Sequence, residues 1–523
     1  MPAQAKQILW VDDEIDMLKP HFLILTERGY EVTGAFSGDD ALELVQNRRF
    51  DLVLLDEHMP GRDGLSTLEE LKKLDPNLPV VMVTKSEEED LMDQAIGKKI
   101  DDYLTKPINP SQVLSVVKRH LEKRKIMSEH FTRQYIQDFQ RHRGILATGT
   151  DWRHWFEAHE MLSRWDIDLT RFRDLGLDET HREHKREATA EFCRWVEREY
   201  PKWLADLDAK DRPPLSVDVV PRWVAPHLRE GRKVYFFVID CMRLDHWLAI
   251  EPELADLFAI ERECYFSLLP TATPFSRNAI FSGMFADEVQ RHFPELWQIG
   301  DKDEFSRNRL ERKLLDQQLA RLGVRLKGEA KYVKVLDFEE GDNLARKFGS
   351  YRNLPLLSVV YNFIDHLSHG RQEDEILHEL APDENAFRGL TKTWFMNSSL
   401  LKILRKISTD PDAVVVLTTD HGSIMGARGA VVHGRRDTSS NLRYKYGDNL
   451  KADPKEAVFI GDPKTYRLPR FSMGTTWLLA KDDFFFVYPT NFNEYQRKFA
   501  GTFQHGGISL PEMVLPVVTM RPK

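Results

Sequence analysis

From Ile8 onward, short apolar runs alternate with stretches of helical spacing. "QILWV", "YEVTGAF", "FDLVLLD", "LPVVMVTKS" and "DYLTKP" are strand-sized. "DDEIDMLKPHFLILTERG", "SGDDALELVQNRR" and "GLSTLEELKKLD" lie between them and place apolar side chains three and four apart. This pattern predicts a βαβ series with a parallel sheet, closing near residue 121. From residue 110 to about 207 the strand signal stops. "SQVLSVVKRHLEKRKIMSEHFTRQYIQDFQRH" predicts a long amphipathic helix, and "DWRHWFEAHEMLSRWDIDL" and "ETHREHKREATAEFCRWVEREYPKWLAD" keep the helical period. Trp152, Trp155, Trp165, Trp195 and Trp203 are expected to pack these helices as a small bundle. A proline-rich linker ("DRPP", then "VVPRWVAP") follows, and a second α/β pattern begins near Leu215. Its apolar strands include "KVYFFVI", "LLSVVYNFI", "AVVVLTT" and the run after "FQHGG".

A chain of 523 residues exceeds one core, so several domains are expected. With 41% hydrophobic and 30% charged residues it reads as globular and soluble. The longest apolar runs are too short to cross a bilayer, and no secretion signal opens the chain, so a cytoplasmic location is expected. Its 3 cysteines fit no metal or disulfide spacing, which suits a reducing compartment. The net charge of -9 argues against nonspecific duplex binding.

Acids end the strands of the first segment. Asp12 and Asp13 close the first strand and Asp56 the third. Carboxylates that converge in one crevice repel unless a hard cation such as Mg²⁺ lies between them. A carboxylate beside that cation can attack a phosphoryl group and become an acyl phosphate. Thr84 and Lys106 end later strands, where a hydroxyl and an ammonium could hold the new phosphate. "VDDE", "LLDEHMPGRDG", "VTKS" and "YLTKP" resemble, in order and spacing, a response-regulator receiver domain. The resemblance implies a flavodoxin-like fold with Asp56 as phosphoacceptor. It implies Mg²⁺ held by Asp12, Asp13, Asp56 and the His58 carbonyl, Thr84 and Tyr103 as the switch pair, and Lys106 on the phosphate.

The connector shows no helix-turn-helix, so sequence-specific DNA binding is not expected. "KRHLEKRK" reads as a solvated helix face. His181 and His184, three apart on a charged helix, read as surface residues.

In the last segment several separate strands end in an acid or a histidine. Asp240 follows one strand, Asp365 another with His369 four residues on, and Asp420-His421 a third; His505 precedes the final strand. These sort into an Asp/His/His set (Asp365, His369, His505) and an Asp/Asp/His set (Asp240, Asp420, His421). Mixed imidazole and carboxylate favours zinc. Two such ions would bind the entering and leaving oxygens of a phosphoryl displacement. "PTATP" supplies Thr271 and Thr273 as hydroxyl nucleophiles, and Thr271, directly after Pro270, is the choice made from sequence.

"VIDCMR", "PTATPFSR", "IDHLSH", "TTDHG" and "QHGG" resemble the alkaline phosphatase superfamily, within it the PglZ-type domain. The resemblance implies Asp240, Thr271, Asp420 and His421 at one zinc, with Asp365, His369 and His505 at the other. A threonine nucleophile is similar to the diesterase members. Arg277 could hold a phosphate oxygen or a nearby carboxylate. Arg435, Arg436, Arg443 and Lys445 form a local cationic segment that could contact phosphate or lie in solvent.

The expected architecture is multidomain α/β. A receiver spans residues 1–121, a helical connector bundle 122–207 and an alkaline-phosphatase-like domain 208–523. That order resembles the response regulators of the type IX secretion system of Bacteroidetes. It implies a PorY-like sensor histidine kinase as partner, contact with a sigma factor and the secretion motor, and a phosphorylation-dependent homodimer. The expected activity is a phosphorylation-controlled, zinc-dependent phosphodiesterase acting on nucleotides or oligonucleotides. The alternative is a catalytically silent zinc-bound module that docks other proteins.

Overall fold

The computed structural model describes residues 5–85, 100–148, 151–171, 176–296, 307–373, 375–434 and 441–523. They fall into two compact units, Met1–Gln137 and Asp138–Lys523.

In the first unit, strands β1 (Lys6–Val11), β2 (Tyr30–Ala35), β3 (Leu52–Asp56), β4 (Val80–Thr84) and β5 (Asp102–Thr105) form one sheet in the order β2-β1-β3-β4-β5. Every pairing is parallel. Successive residues of a strand face opposite sides, so the continuous apolar runs bury both faces. Ile8, Trp10, Leu54 and Val83 pack on one side with Val113, Val116 and Val117. Leu9, Val11, Val53 and Leu55 pack on the other with Leu68 and Leu71 of α3 (Gly64–Leu74). Helix α3 starts cleanly because Asp63 accepts from the Ser66 N–H, a capping bond for a free helical donor.

Helix α4 (Pro110–Thr148) carries the chain past the unit boundary. Helices α5 (Trp152–Arg171) and α6 (Asp178–Ala205) belong to the second unit. Their tryptophans do meet, with Trp155 and Trp195 ring centroids 5.8 Å apart and Trp195 and Trp203 5.1 Å apart. They do not close a core of their own. Phe266, on a strand of the large sheet, lies 5.2 Å from Trp203 and 5.9 Å from Phe192, so the two helices share one core with the α/β part. His181 is also not a surface residue. It is buried, and its Nε2 lies 3.1 Å from Asp166 Oδ1, because α5 covers that face of α6. The His184 ring stacks on Phe139.

The large sheet contains β6 (Lys233–Ile239), β7 (Phe258–Phe266), β8 (Ala330–Val335), β9 (Leu356–Tyr361), β10 (Ala413–Thr418) and β11 (Val514–Pro522), in the order β7-β11-β10-β6-β9-β8. The pairings β10·β6, β6·β9 and β9·β8 are parallel. β11 runs antiparallel to both of its neighbours. Phe236, Val238, Val360 and Val416 face one core and Tyr235, Phe237, Val359 and Leu417 the other. The parallel strands β6, β9 and β10 therefore end together, and polar residues just past them share one edge, where open α/β sheets bind ligands.

Candidate active site

Asp240 follows β6, Asp420 and His421 follow β10, and Asp365 lies in the first turn of helix α9 (Phe363–Glu373), which follows β9. Parallel register brings these ends side by side. Asp240, Asp420 and His421 offer ligand atoms within 4.8 Å of one another, as do Asp365, His421 and His505, all of them buried. His421 thus belongs to both groups, where the sequence placed it in one. His369 joins at the rim, its Nε2 3.4 Å from Asp365 Oδ1 and 3.2 Å from His505 Nε2, with its side chain 52% exposed.

The surroundings fix which atom of each side chain faces inward. Asp240 Oδ2 accepts from Arg277 Nη1 at 2.5 Å and Asn362 Nδ2 at 2.7 Å. Its Oδ1 is left 3.5 Å from Thr273 Oγ1 and 3.6 Å from His421 Nε2. Asp420 Oδ1 accepts from the backbone N–H groups of Cys241 and His421, while Oδ2 has no hydrogen-bond partner although fully buried. Asp365 Oδ1 is likewise buried without a hydrogen bond. His421 Nδ1 lies 3.0 Å from the Gly422 carbonyl oxygen. A carbonyl only accepts, so Nδ1 bears the proton and the lone pair of Nε2 points into the cluster. The Cys241 backbone takes φ 65° to turn the chain after Asp240.

The electrostatics of this cluster suit a cation. Burial pushes the Asp420 carboxyl well up, and the neighbouring Asp240 charge adds to the rise against the opposing Arg277. Burial would also raise Asp365, but the neighbouring imidazoles of His369, His505 and His421 outweigh it and hold that carboxyl low. Buried carboxylate oxygens without donors beside imidazole lone pairs fit a cation-binding site. The nitrogen and oxygen donor set fits zinc.

The threonine assignment from sequence is corrected. Thr271 is fully buried and turned away, its hydroxyl donating to the Gly507 carbonyl at 2.8 Å and accepting from the Gly506 N–H at 3.0 Å. Thr273 is half-buried and stands at the cluster, Oγ1 3.0 Å from His421 Nε2. It opens helix α8 (Thr273–Ser282), whose positive end favours negative charge on that oxygen. Pro274 in the first turn needs no hydrogen-bond acceptor, so the helix starts without strain there.

Of the cationic residues, Arg443 and Lys445 lie in the protein interior and not in solvent. Arg277 is buried between Asp240 and Glu311, with Nε 2.5 Å from Glu311 Oε1, so of its two readings the carboxylate one holds. Arg443 is buried and paired with Glu512, Nη2 to Oε2 at 2.5 Å. Lys445 is 2% exposed, its ammonium 5.4 Å from the Tyr488 ring centre, and burial lowers its pKa to about 8. Arg435 and Arg436 lie outside the described residues. Sequence reasoning missed Asn362, Glu311 and Glu512. Ser509-x-x-Glu512, a capping-box pattern ahead of the last strand, was the available signal for Glu512.

In the first unit Asp12, Asp13 and Asp56 offer oxygens within 4.8 Å of one another. Lys106 Nζ lies 2.9 Å from Asp12 Oδ2 and 3.0 Å from Asp56 Oδ2. Burial raises the Asp56 carboxyl and Lys106 opposes it, while Asp12 and Asp13 raise it further. Thr84 ends β4, Tyr103 on β5 is 45% exposed, and exposed His58 follows Asp56 by two residues.

The BREX system PglZ alkaline phosphatase-like domain family matches residues 219–520, more than half of the chain. The chain belongs to this family. Ahead of the PglZ domain, the response regulator receiver domain matches residues 8–118 and the PorX response regulator linker domain residues 125–204. Receiver, linker and PglZ domain in this order are the PorX architecture. The protein is thus a response regulator with an alkaline phosphatase-like output domain, and its receiver implies a phosphorylating histidine kinase. Among solved structures, the receiver domain of NtrX from Brucella abortus is 38% identical. It covers 22% of this chain and 98% of that one with a TM-score of 0.21. A CheY-like receiver domain protein from Methanospirillum hungatei JF-1 is 33% identical over 23% of this chain and 95% of that one, with a TM-score of 0.22.

Proposed function

We propose that the PglZ domain is a zinc-dependent phosphodiesterase acting on nucleotides or oligonucleotides, controlled by phosphorylation of Asp56. The observation behind this reading is the convergence of Asp240, Asp420, His421, Asp365, His505 and His369 around the hydroxyl of Thr273. Asp240, Asp420 and His421 would hold one ion and Asp365, His369 and His505 the other. Zinc bound there would lower the pKa of the nearby hydroxyl and offset charge on the entering and leaving oxygens.

Thr273 Oγ1 would give its proton to solvent and, as the alkoxide, attack phosphorus in line. The Oγ–P bond forms, the bond to the leaving oxygen breaks, and that oxygen takes a proton from water. Water then cleaves the threonine ester, returning a proton to Oγ1. Arg277 and Asn362 hold Asp240 in the orientation this needs. Helix α8 directs its positive end at the developing charge.

In the receiver, an Asp56 oxygen would attack a phosphoryl donor with Mg²⁺ held by Asp12, Asp13, Asp56 and the His58 carbonyl. Lys106 would move from the carboxylates to the new phosphate, and Thr84 and Tyr103 would report it by changing position. The PorX linker match supports a role in the type IX secretion system. On that reading a PorY-like kinase is the phosphate source, and a sigma factor and the secretion motor are partners of a phosphorylation-dependent dimer. A cytoplasmic place agrees with the absence, among the described residues, of any helix long and apolar enough to cross a membrane.

The test is metal analysis of the full chain with hydrolysis of bis(4-nitrophenyl) phosphate and of a dinucleotide. About two zinc ions per chain and turnover abolished by a chelator are expected. Zinc binding without ester cleavage would favour the silent docking module, and absence of zinc would overturn the metal site.

A further inference from the structure

Thr271 is a buried hydroxyl that the proposed chemistry leaves without a task, and its surroundings supply one. His505 is followed by Gly506 and Gly507, and this turn is bonded at each backbone group that faces Thr271 and Glu512. Gly506 N–H donates to Thr271 Oγ1 at 3.0 Å, and the Thr271 hydroxyl donates to Gly507 O at 2.8 Å. Gly507 N–H donates to Glu512 Oε1 at 2.9 Å. Glu512 is held in turn by Arg443, with Nε 3.2 Å from Oε1 and Nη2 2.5 Å from Oε2, and by the Ser509 hydroxyl at 2.5 Å from Oε2. All four of these side chains are fully buried.

The turn is fitted to glycine at both positions. Gly506 has φ +116°, a conformation open to glycine. A Cβ on Gly507 would lie 2.4 Å from the Ala480 carbonyl oxygen and 2.6 Å from Arg443 Nη2. Glu512 also reaches the other histidine turn, since its backbone carbonyl accepts from the Gly422 N–H at 3.1 Å. A Cβ on Gly422 would lie 1.8 Å from the Pro511 carbonyl oxygen, so the His421 turn is in direct backbone contact with the Pro511–Glu512 segment whose Glu512 side chain holds the His505 turn. The rings of the two turns, His421 and His505, stack with centroids 4.2 Å apart and 18° between planes.

The geometry points to Thr271, Glu512 and Arg443 as positioning residues that set the spacing of His505 and His421, and with it the affinity of the cluster for its metal. The two threonines of "PTATP" then have separate tasks: Thr273 at the reacting phosphorus, Thr271 in the clamp behind a metal-binding histidine. Valine at Thr271 keeps the shape and strands the Gly506 N–H and the Gly507 carbonyl without partners. Glutamine at Glu512 keeps the shape and removes the charge that Arg443 pairs with.

The proposal rests on the metal-site reading, and the experiment separates the two. Zinc affinity of the full chain is measured by competition with a chromogenic chelator for wild type, T271V, T271S, E512Q and T273V, with thermal unfolding of each metal-free form. At least one of the two zinc ions should bind about tenfold or more weakly in T271V and in E512Q, with T271S restored to within a few-fold and T273V still binding both (a tenfold change is 1.4 kcal/mol). A purely structural role would lower the metal-free melting temperature of T271V and E512Q and leave the zinc affinity of the folded protein unchanged, and that overturns the clamp. Wild type that binds no zinc overturns the metal site itself, whereas wild type binding two and T271V and E512Q binding two equally well overturns only the clamp.

Discussion

Arg277 shows how a residue type can be legible while its task is not. An arginine four residues after a nucleophilic threonine invites a substrate-phosphate role, but the guanidinium lies at 0% exposure between Asp240 and Glu311. Glu311 is itself tied by the Tyr332 hydroxyl. The charge is spent on orienting a carboxylate. Arg277→Met would leave two buried carboxylates unpaired, and breaking such a pair costs about 3–5 kcal/mol. Chemical denaturation of the metal-free variant should show that loss. A raised KM with unchanged stability would instead return Arg277 to the substrate. Asp240, Asp420 and His421 were legible because they follow fully apolar strand runs. The choice between Thr271 and Thr273 was not, since it depends on which one faces Gly506 and Gly507, more than two hundred residues away in the chain.

At the scale of elements, strands were legible and shared surfaces were not. The runs "KVYFFVI" and "AVVVL" buried on both faces mark β6 and β10 directly. Nothing local in the tryptophan-rich helices says that their partner is Phe266. Helix α6 goes further than packing. Its Tyr200 hydroxyl accepts from the Leu269 N–H at 3.0 Å, just before the turn that carries both threonines. Its Cys193 Sγ donates to the Ile508 carbonyl at 3.0 Å, just after the turn that carries His505. Its Lys185 pairs with Glu384 at 2.6 Å, and Glu384 accepts from Arg243, three residues past Asp240, at 3.2 Å. A linker helix thus backs each of these site turns. Tyr200→Phe removes one oxygen and leaves the buried Leu269 N–H without a partner, a loss of about 1–3 kcal/mol. The expected result is a several-fold fall in kcat with little change in KM. Equal kcat would show that this helix only packs.

For the whole molecule, the order of domains could be read because each has its own period and its own strand-end chemistry. Residues 86–99 and 297–306 and the Arg435-Arg436 segment lie outside the described residues. Buried imidazoles give the folded chain a pH signature. Burial lowers His142 to about 4, with the neighbouring His154 charge adding to it, and burial lowers His159 to about 4 and His246 to about 3. Below the ordinary histidine pKa the unfolded chain therefore binds more protons than the folded one. Stability is fully present above about pH 6.5 and is lost as pH falls toward 4, by up to tenfold in the folding constant per pH unit for each such histidine. His142→Gln should flatten the fall in melting temperature between pH 7 and pH 5 relative to wild type; an unchanged slope would show that His142 protonates freely in the folded state.

The central claim is that Thr273 attacks phosphorus inside the carboxylate–histidine cluster. The most direct measurement is steady-state hydrolysis of bis(4-nitrophenyl) phosphate by the zinc-loaded full chain with Thr273→Val, its zinc content checked beside wild type. Loss of an attacking hydroxyl with the metal retained predicts a fall in kcat of about a thousandfold or more. Turnover by the variant within a few-fold of wild type would contradict the account.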